Sequence, residues 1–342
     1  MPEQITAAVI GLGVGERHIN GYLSHSRCNL AAICDLDEEK LTKIGSRYPE
    51  VRQCINANEI LQDPSIDVVS IASFDNFHAS QVLAAIEAGK HIFVEKPLCL
   101  TSSEYLQIDT LLSSKPRVHL SSNLVLRKAP QFHQLKSRID NGVLGDIYYM
   151  EGDYNYGRLH KLTAGWRGQI PFYSVSHGGA IHMIDLLLWL SGKIVTRVVS
   201  LGNSYATDDS SFNYPSQVTS LLEFSDGATA KISANFPSVT PHHHELNIFG
   251  NKGTFINTQQ GGCYYHSRDP VAAIEKINLP YKNEQKGAVQ KSFISQILDG
   301  TKEDVAKEDV FRSMAISLAI ENSLNSGNWE EVKYGKVANI QL

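Results

Sequence analysis

The sequence predicts an α/β protein in two parts. A doubly wound parallel sheet comes first, and an α+β region on an open, mostly antiparallel sheet follows. Three observations carry this reading. Short apolar runs alternate with segments of helical spacing over roughly the first 120 residues. A glycine-rich turn, Gly11-Leu12-Gly13-Val14-Gly15, follows the first of those runs. From Ile147 onward, strand-like runs follow one another closely. Turn residues such as Ser225-Asp226-Gly227 and Asn251-Lys252-Gly253 separate them, which favours hairpins. The expected division is a first domain over 1–122 and a second over 123–342, with late helices packing back towards the first.

In the first part, residues 5–10 read as a strand and 16–24 as a helix. A second strand, 30–34, ends at Asp35, and 38–48 has helical spacing with Leu41, Ile44 and Tyr48 on one face. A short helix begins over 58–62. Residues 67–72 are a buried strand that runs into a polar turn over 73–78. A helix over 79–88 closes at Gly89. His91–Val94 is the next strand, a helix over 101–112 starts at Thr101 or Ser102 with Glu104 in its first turn, and 118–121 is one more strand.

Strand, glycine turn, helix, strand, acid is the order of a dinucleotide-binding βαβ unit, the Rossmann arrangement. Glycines let the backbone approach a pyrophosphate, and the helix N-terminus offers it unpaired N–H groups. Asp35 lies 24 residues after Gly11, placed to accept hydrogen bonds from a ribose diol. It would repel a 2′-phosphate, which favours NAD over NADP. The pattern is irregular, because the third glycine comes one residue early and position 16 is Glu. Glu16 must point away from phosphates or pair with Arg17. A plain tight turn would need no more than these glycines.

Glu95-Lys96-Pro97 ends the strand His91–Val94. A lysine there is not needed for packing, and in an open α/β sheet that strand end faces the ligand crevice. Proline fixes the backbone just beyond it. A solvated Glu–Lys pair at a strand end is the plainer alternative.

These residues resemble the Gfo/Idh/MocA oxidoreductases, the family of glucose-fructose oxidoreductase and inositol dehydrogenase. The matching residues are Gly11-Leu12-Gly13 with Arg17-His18, Asp35, the turn from Ser73 to His78, and above all Glu95-Lys96-Pro97. Asn123, Arg127 and Pro130 fit the segment that crosses to the second domain. The resemblance covers essentially the whole chain. It implies an NAD-dependent oxidoreductase that moves a hydride between nicotinamide and a secondary alcohol or ketone of a sugar, sugar nucleotide or polyol. It places Gly11 to Gly15, Asp35, Ser73, Asn76, His78, Glu95 and Lys96 at the cofactor. It also implies a homodimer or homotetramer formed through the second domain's sheet.

After Pro130 a helix over 131–141 stops at Gly142. Strands are expected over 147–156, 195–202, 217–224, 228–236, 245–250 and 253–258, and late helices over 288–298 and 309–326. Between the first two of these strands, Gly178-Gly179 opens a helix whose later part is very apolar. His182 sits early in that helix, one turn before Asp185. By resemblance His182 is the catalytic histidine and Lys96 its partner. A histidine suits the proton transfer, and a lysine can stabilise charge on the reacting oxygen. A buried histidine bonded to backbone is the plainer reading, and Asp185 is expected to orient a neighbour or cap locally.

The chain departs from the family at Gly178, where members commonly carry aspartate. His177 is adjacent and offers a polar contact without that charge. The departure bears on the polyol substrates associated with the aspartate form.

Softer candidates for substrate contact are Arg127 and a cluster ahead of the histidine: Tyr154, Tyr156, Arg158, His160, Trp166 and Arg167. Aromatic faces with arginines suit a sugar or a phosphate, and a solvated loop would look the same. His242-His243-His244 alternate faces on entering a strand, so they do not converge on one metal ion; contact of one of them with substrate is the better expectation, and no metal is expected.

Bulk properties narrow the class. The formal charge of −5 over 342 residues shows no basic excess for nucleic acid and no charged tail. The first residues lack the positive and apolar stretches of a signal peptide, and apolar runs such as 186–190 fall far short of a membrane span. Five scattered cysteines (Cys28, Cys34, Cys54, Cys99, Cys263) without a Cys-x-x-Cys fit reduced thiols in a cytoplasmic protein. A reading from another class stays open: a non-catalytic, dinucleotide-sensing regulator of the same fold. The irregular glycine turn and Gly178 are compatible with it, and the presence of both Lys96 and His182 speaks against it.

Overall fold

A computed structural model describes residues 3–277, 279, 287–302 and 304–340. Met1 and Pro2, on which the reading of the N-terminus partly rests, lie outside the described residues. The chain forms two compact units. One comprises Met1–Lys128, Glu284–Phe311 and Gly335–Asn339; the other comprises Ala129–Asn283, Arg312–Tyr334 and Ile340–Leu342.

The first unit alternates strand and helix in the order β1 (Ile5–Ile10), α1 (Glu16–Leu23), β2 (Cys28–Cys34), α2 (Glu38–Gly45), β3 (Arg52–Cys54), α3 (Asn58–Leu61), β4 (Val68–Ile71), α4 (Asp75–Glu87), β5 (His91–Val94), α5 (Ser102–Ser113) and β6 (Leu120–Ser122). The six strands form one sheet in the order β3-β2-β1-β4-β5-β6. Every pairing in it is parallel. Helices cover both faces, so β1, β4 and β5 are buried almost throughout and mostly apolar rather than alternating. Because β1 and β4 are neighbours without being consecutive, the connections diverge between them and open a crevice at their carboxyl ends.

Local signals set the element ends. Thr101 and Glu104 form a reciprocal capping box on α5, Asp37 caps α2 by accepting from the Lys40 N–H, and Gly89 turns the chain after α4 at φ +73°. α4 begins at Asp75, four residues before the expected start. Phe74 is extended, so the helix starts directly after it, and Asp75 lies in the first turn where the helix dipole favours an acid. The polar turn is therefore confined to Ser73 and Phe74. β3 was not expected, since two of its three residues, Arg52 and Gln53, are exposed on an edge strand and carry no apolar pattern.

The second unit holds α6 (Pro130–Asp140), α7 (His160–Thr163), α8 (Ile181–Ser191) and nine strands: β7 (Ile147–Asn155), β8 (Val195–Asn203), β9 (Gln217–Phe224), β10 (Thr229–Asn235), β11 (His243–Gly250), β12 (Thr254–Thr258), β13 (Gly261–Tyr265), β14 (Glu275–Lys276) and β15 (Glu330–Glu331). Their order is β14-β13-β12-β11-β7-β10-β9-β8-β15. Among the described residues only β7 and β10 pair parallel; the remaining pairs are antiparallel. α8 lies on one face of this sheet. Gly152 of β7 makes room for it, since a Cβ there would come within 3.1 Å of Met183 and 3.6 Å of Leu187.

The late segments depart from the single boundary expected at 122/123. α9 (Ala288–Asp299) belongs to the first unit. Its apolar stripe Val289, Phe293, Ile294, Ile297 and Leu298 is buried, and Phe293 packs on Phe93 of β5. Residues 335–339 return as well, because the N–H groups of Lys336 and Val337 donate to the Asp109 carboxylate of α5. α10 (Lys307–Ser326) follows α9, and its residues from Arg312 onward count with the second unit.

Arg127, expected at the substrate, is 4% exposed in the first unit. Its guanidinium donates to Asp309 Oδ2 at 2.8 Å and to the Asp304 carbonyl at 3.1 Å. It ties the crossing segment to the returning chain. Arg127→Ala leaves Asp309 without this partner and should cost about 1–3 kcal/mol of unfolding free energy, read as a lower urea midpoint. An unchanged midpoint would show that the pair contributes nothing to the fold.

Candidate active site

At the carboxyl end of β1 the glycine turn is shaped by three different constraints. Gly11 has φ +87°, and a Cβ there would overlap the Ala72 carbonyl at the end of β4. A Cβ on Gly15 would overlap the Gly11 carbonyl and lie 2.9 Å from Val9. Gly13 faces open space. So Gly11 makes the turn and Gly15 lets α1 sit tightly on β1, although it comes one residue early. The N–H groups of Gly13, Val14 and Gly15 have no acceptor among the described residues. They precede the first turn of α1, which is an anion-binding arrangement.

Asp35, at the end of β2, accepts from the Leu12 N–H at 2.7 Å and the Asp37 N–H at 2.9 Å. Lys40 Nζ lies 3.4 Å from both of its oxygens. Glu16 is turned to Arg47, 2.8 Å away, and not to Arg17; the awkward acid is thus withdrawn from the turn. Across the switch point, Asn76 has a buried Oδ1 with no donor among the described residues. Unclaimed donors at the glycine turn and an unclaimed acceptor at the β4 end together fit a dinucleotide.

Ser73 donates to Gln81. His78, expected at the cofactor, is fully buried. Its ring lies between two backbone carbonyls, Pro97 O at 2.6 Å from Nδ1 and Ser73 O at 3.1 Å from Nε2. Either tautomer donates to one of them, so His78 fastens the β4 turn to the β5 turn from beneath.

Lys96, half-buried, stands at the end of β5, joined to Pro97 by a cis peptide bond. Glu95 beside it is buried. Its Oε1 accepts from Asn123 Nδ2 at 2.6 Å and lies 3.0 Å from His18 Nε2, whose Nδ1 is 2.7 Å from Ser70 Oγ. Burial alone would raise the Glu95 pKa. The hydrogen bond and charge of His18, the Lys96 charge and the Asn123 amide outweigh it and hold the carboxyl below its ordinary value. Glu95 therefore stands behind Lys96 as a fixed negative charge rather than as a surface contact.

In the second unit, Ser176–Ala180 forms a π-helical turn that leads into α8. Two tyrosines press against its glycines. A Cβ on Gly178 would overlap the Tyr173 hydroxyl, and one on Gly179 would lie 2.6 Å from the Tyr154 ring. Tyr154, on β7, stacks on His182 with centroids 5.9 Å apart and planes at 19°. It also stacks on Tyr156 at 5.6 Å. His242 and His244 meet the same ring edge-on at 5.1 and 5.2 Å. His182 is 9% exposed. His242 and His244, two residues apart, share its face of the sheet.

The other predicted contacts divide. Arg167 donates from Nε to the Tyr173 hydroxyl at 2.9 Å and lies over the Trp166 ring. Arg158 lies over Tyr156, 5.0 Å from its centroid. These join the His182 cluster through Tyr154, Tyr156 and Tyr173. His177 does not: it is fully buried with Nδ1 2.8 Å from Ser317 Oγ on α10. Successive residues on a helix point in different directions, so a neighbour of Gly178 in sequence does not replace a side chain at 178. Asp185 is turned to Ser313, 3.5 Å away. Tyr173 and Ser70 were not singled out from the sequence. The adjacent glycines pointed to a close approach, but not to its partner.

Two family models match the chain. One, described as an oxidoreductase family with an NAD-binding Rossmann fold, spans residues 5–123. The other, the GFO/IDH/MocA C-terminal domain, spans 132–256. Myo-inositol 2-dehydrogenase of Thermotoga maritima is 25% identical over 338 residues, 92% of this chain and 95% of that protein. Scyllo-inositol 2-dehydrogenase (NAD(+)) of Bacillus subtilis is 27% identical, covering 75% of each chain. The solved structure of levoglucosan dehydrogenase with NADH and levoglucosan shares the fold, with a TM-score of 0.83 at 21% identity, over 96% of this chain and 99% of its own.

Two measurements test this anatomy. Gly178→Asp should lower stability by about 1–3 kcal/mol through overpacking, and the added change Tyr173→Ala should recover part of the loss; a harmless Gly178→Asp would mean Tyr173 does not occupy that space. Glu95 has a folded pKa below its ordinary 4.5, so its contribution to stability is complete above that value and is lost as pH falls through the lower folded value. The stability gap between the native protein and Glu95→Gln should therefore narrow below pH 4.5. A gap constant with pH would contradict a charged, bonded Glu95.

Proposed function

This chain belongs to the GFO/IDH/MocA oxidoreductase family, with an NAD-binding Rossmann N-terminal domain, and we propose that it interconverts a secondary alcohol and ketone on a sugar, polyol or sugar nucleotide. The observation that carries this is the setting of His182. It is almost buried among the rings of Tyr154 and His244, and such ring faces suit the C–H face of a sugar while leaving polar edges for its hydroxyls. The names of the two inositol dehydrogenase relatives support a polyol-like substrate.

Gly13 to Gly15, Asp35 and Asn76 would hold the dinucleotide. NAD supplies the hydride acceptor when bound there. Oxidation of the alcohol also releases a proton, which His182 accepts, and in the reverse direction His182 returns it. Lys96 donates a hydrogen bond to the reacting oxygen and stabilises its negative charge. Glu95 keeps that ammonium group oriented. A regulator without chemistry would have no use for such a base and cation. Cytoplasmic residence agrees with five free cysteines, four of them buried, with burial raising the thiol pKa at Cys28 and Cys34 to about 12. Assembly as a dimer or tetramer is supported by Leu201 and Leu221, 78% and 49% exposed on neighbouring strands of the open sheet.

The test is NADH formation by the purified protein with NAD and a panel of polyols, aldoses, sugar phosphates and sugar nucleotides. Lys96→Ala should abolish turnover while NADH still binds, and His182→Ala should slow it by about 10²–10⁴-fold. Full activity in either variant would remove it from the mechanism. NADH should bind more tightly than NADPH, and Asp35→Ser should narrow that preference by removing the carboxylate and releasing Lys40. Tighter binding of NADPH by the unmodified protein would refute the role given to Asp35.

A further inference from the structure

α10 carries Ser313, Ser317 and Glu321 at four-residue intervals, so the three lie in one row along the helix. The row meets the segment that leads into α8. Ser313 donates to Asp185 at 3.5 Å, Ser317 Oγ lies 2.8 Å from His177 Nδ1, and Glu321 accepts from the Ser174 hydroxyl. Ser313 and Ser317 are fully buried, where a hydroxyl is unfavourable unless it is bonded. At Ser174 the row acts on backbone. Ser174 Oγ accepts from the N–H groups of Ser176 and His177, both at 3.1 Å, as a helix N-cap does. A serine hydroxyl has one hydrogen and two lone pairs. The two N–H groups take the lone pairs and Glu321 takes the hydrogen. The cap is therefore saturated, and the carboxylate fixes the rotation of the hydroxyl so that its lone pairs face the backbone.

We propose that Glu321 is a positioning residue for His182, acting through Ser174 and the π-helical turn. The inference rests on His182 being the acid/base of the site. Ser176–Ala180 is π-helical, and α8 follows at once with His182 as its second residue. A π turn holds one more residue than an α turn. Its relaxation to α geometry would change the relative facing of the residues on its two sides by about 100°, one residue's share of a 3.6-residue turn. The body of α8 is anchored by its buried apolar residues, with Met183 and Leu187 against Gly152 of β7. The start of the turn is anchored on α10 through Ser174 and His177. With both ends held, the turn keeps its π geometry, and the first turn of α8 keeps His182 stacked on Tyr154. Without the Glu321 acceptor, Ser174 rotates away from the N–H groups it caps, and the start of the turn is released.

The experiment compares the full-length protein with Glu321→Leu, which removes the acceptor, and Glu321→Gln, which keeps an acceptor oxygen. Two readouts need no substrate. Hydrogen exchange at the Ser176 and His177 amides should quicken about 5-fold in Glu321→Leu, the worth of a lost cap. The His182 ring resonance, identified by its loss in His182→Gln, should move in Glu321→Leu and stay close to its native place in Glu321→Gln. Ser174→Ala removes the cap without touching α10 and should reproduce both changes, so the test stands even where Glu321→Leu fails to fold. In turnover, Glu321→Leu should lower kcat about 10-fold with KM nearly unchanged, and Glu321→Gln should recover most of the loss. A His182 resonance that stays in place while the two amides exchange faster would make Glu321 a support of the fold alone and overturn the proposal. A resonance displaced equally by Leu and Gln would do the same, since the bond would then not be what matters. The two readings fail separately. Expected exchange and resonance changes in a protein that turns over no compound of the panel would sink the oxidoreductase assignment alone, whereas an unchanged kcat in Glu321→Leu would sink the positioning role alone.

Discussion

No β-carbon fits at Gly11 or at Gly178, and each half of the molecule is built around that exclusion. At Gly11 the β1 turn and the end of β4 touch through backbone alone. This contact brings the two strand ends of the switch point together and leaves the N–H groups of Gly13 to Gly15 facing outward. At Gly178 and Gly179 the excluded atoms are replaced by two tyrosines, one of which carries the ring that stacks on His182. Glycine in both places trades chain entropy for proximity. The cost is repaid only because a dense, bonded neighbour fills the space, which is why the substitution of either glycine acts at the site and on the fold together.

The second constraint is the buried carboxylate of Glu95. An ionised acid in a parallel-sheet interior is unfavourable unless every lone pair facing the protein is met. His18, in the first turn of α1, and Asn123, just after β6, meet the carboxylate, and Ser70 of β4 holds the other side of the His18 ring, so satisfying one side chain ties three elements to the β5 terminus. His78 does the same from below by joining the Ser73 and Pro97 carbonyls. The lysine at the end of β5 is thus placed by groups that never need to touch a ligand. Residues that look like cofactor contacts on a motif can therefore be supports for one.

This explains what was legible in the chain and what was not. The parallel sheet could be read because strands buried on both faces are written as continuous apolar runs, and the hairpins of the second unit could be read from Ser225-Asp226-Gly227 and Asn251-Lys252-Gly253. Lys96, His182 and Asp35 stood out because a motif or an offset marks them. The roles first given to His78, His177 and Arg127 did not survive. Each carries a polar side chain at a suggestive place, yet each is spent on a carbonyl, a serine or an aspartate from a distant segment. Sequence spacing is blind to such long-range partners. The return of α9 and of residues 335–339 to the first unit was hidden for the same reason, since a buried stripe does not say which surface it covers.

The same logic separates Gly178 from a simple loss. A missing acid, taken by itself, reads as decay of a site and fits a protein that no longer does chemistry. The surroundings argue otherwise. The space is filled by Tyr173 rather than left as a cavity, the tyrosine is bonded to Arg167, and the glycine pair that admits the two tyrosines is the segment that leads into His182. A decayed site would accumulate changes independently. Here a side chain, its hydrogen-bond partner and the backbone beneath them agree with one another. Agreement of that kind marks a segment rebuilt as a unit, which is compatible with the proton-transfer role proposed for His182.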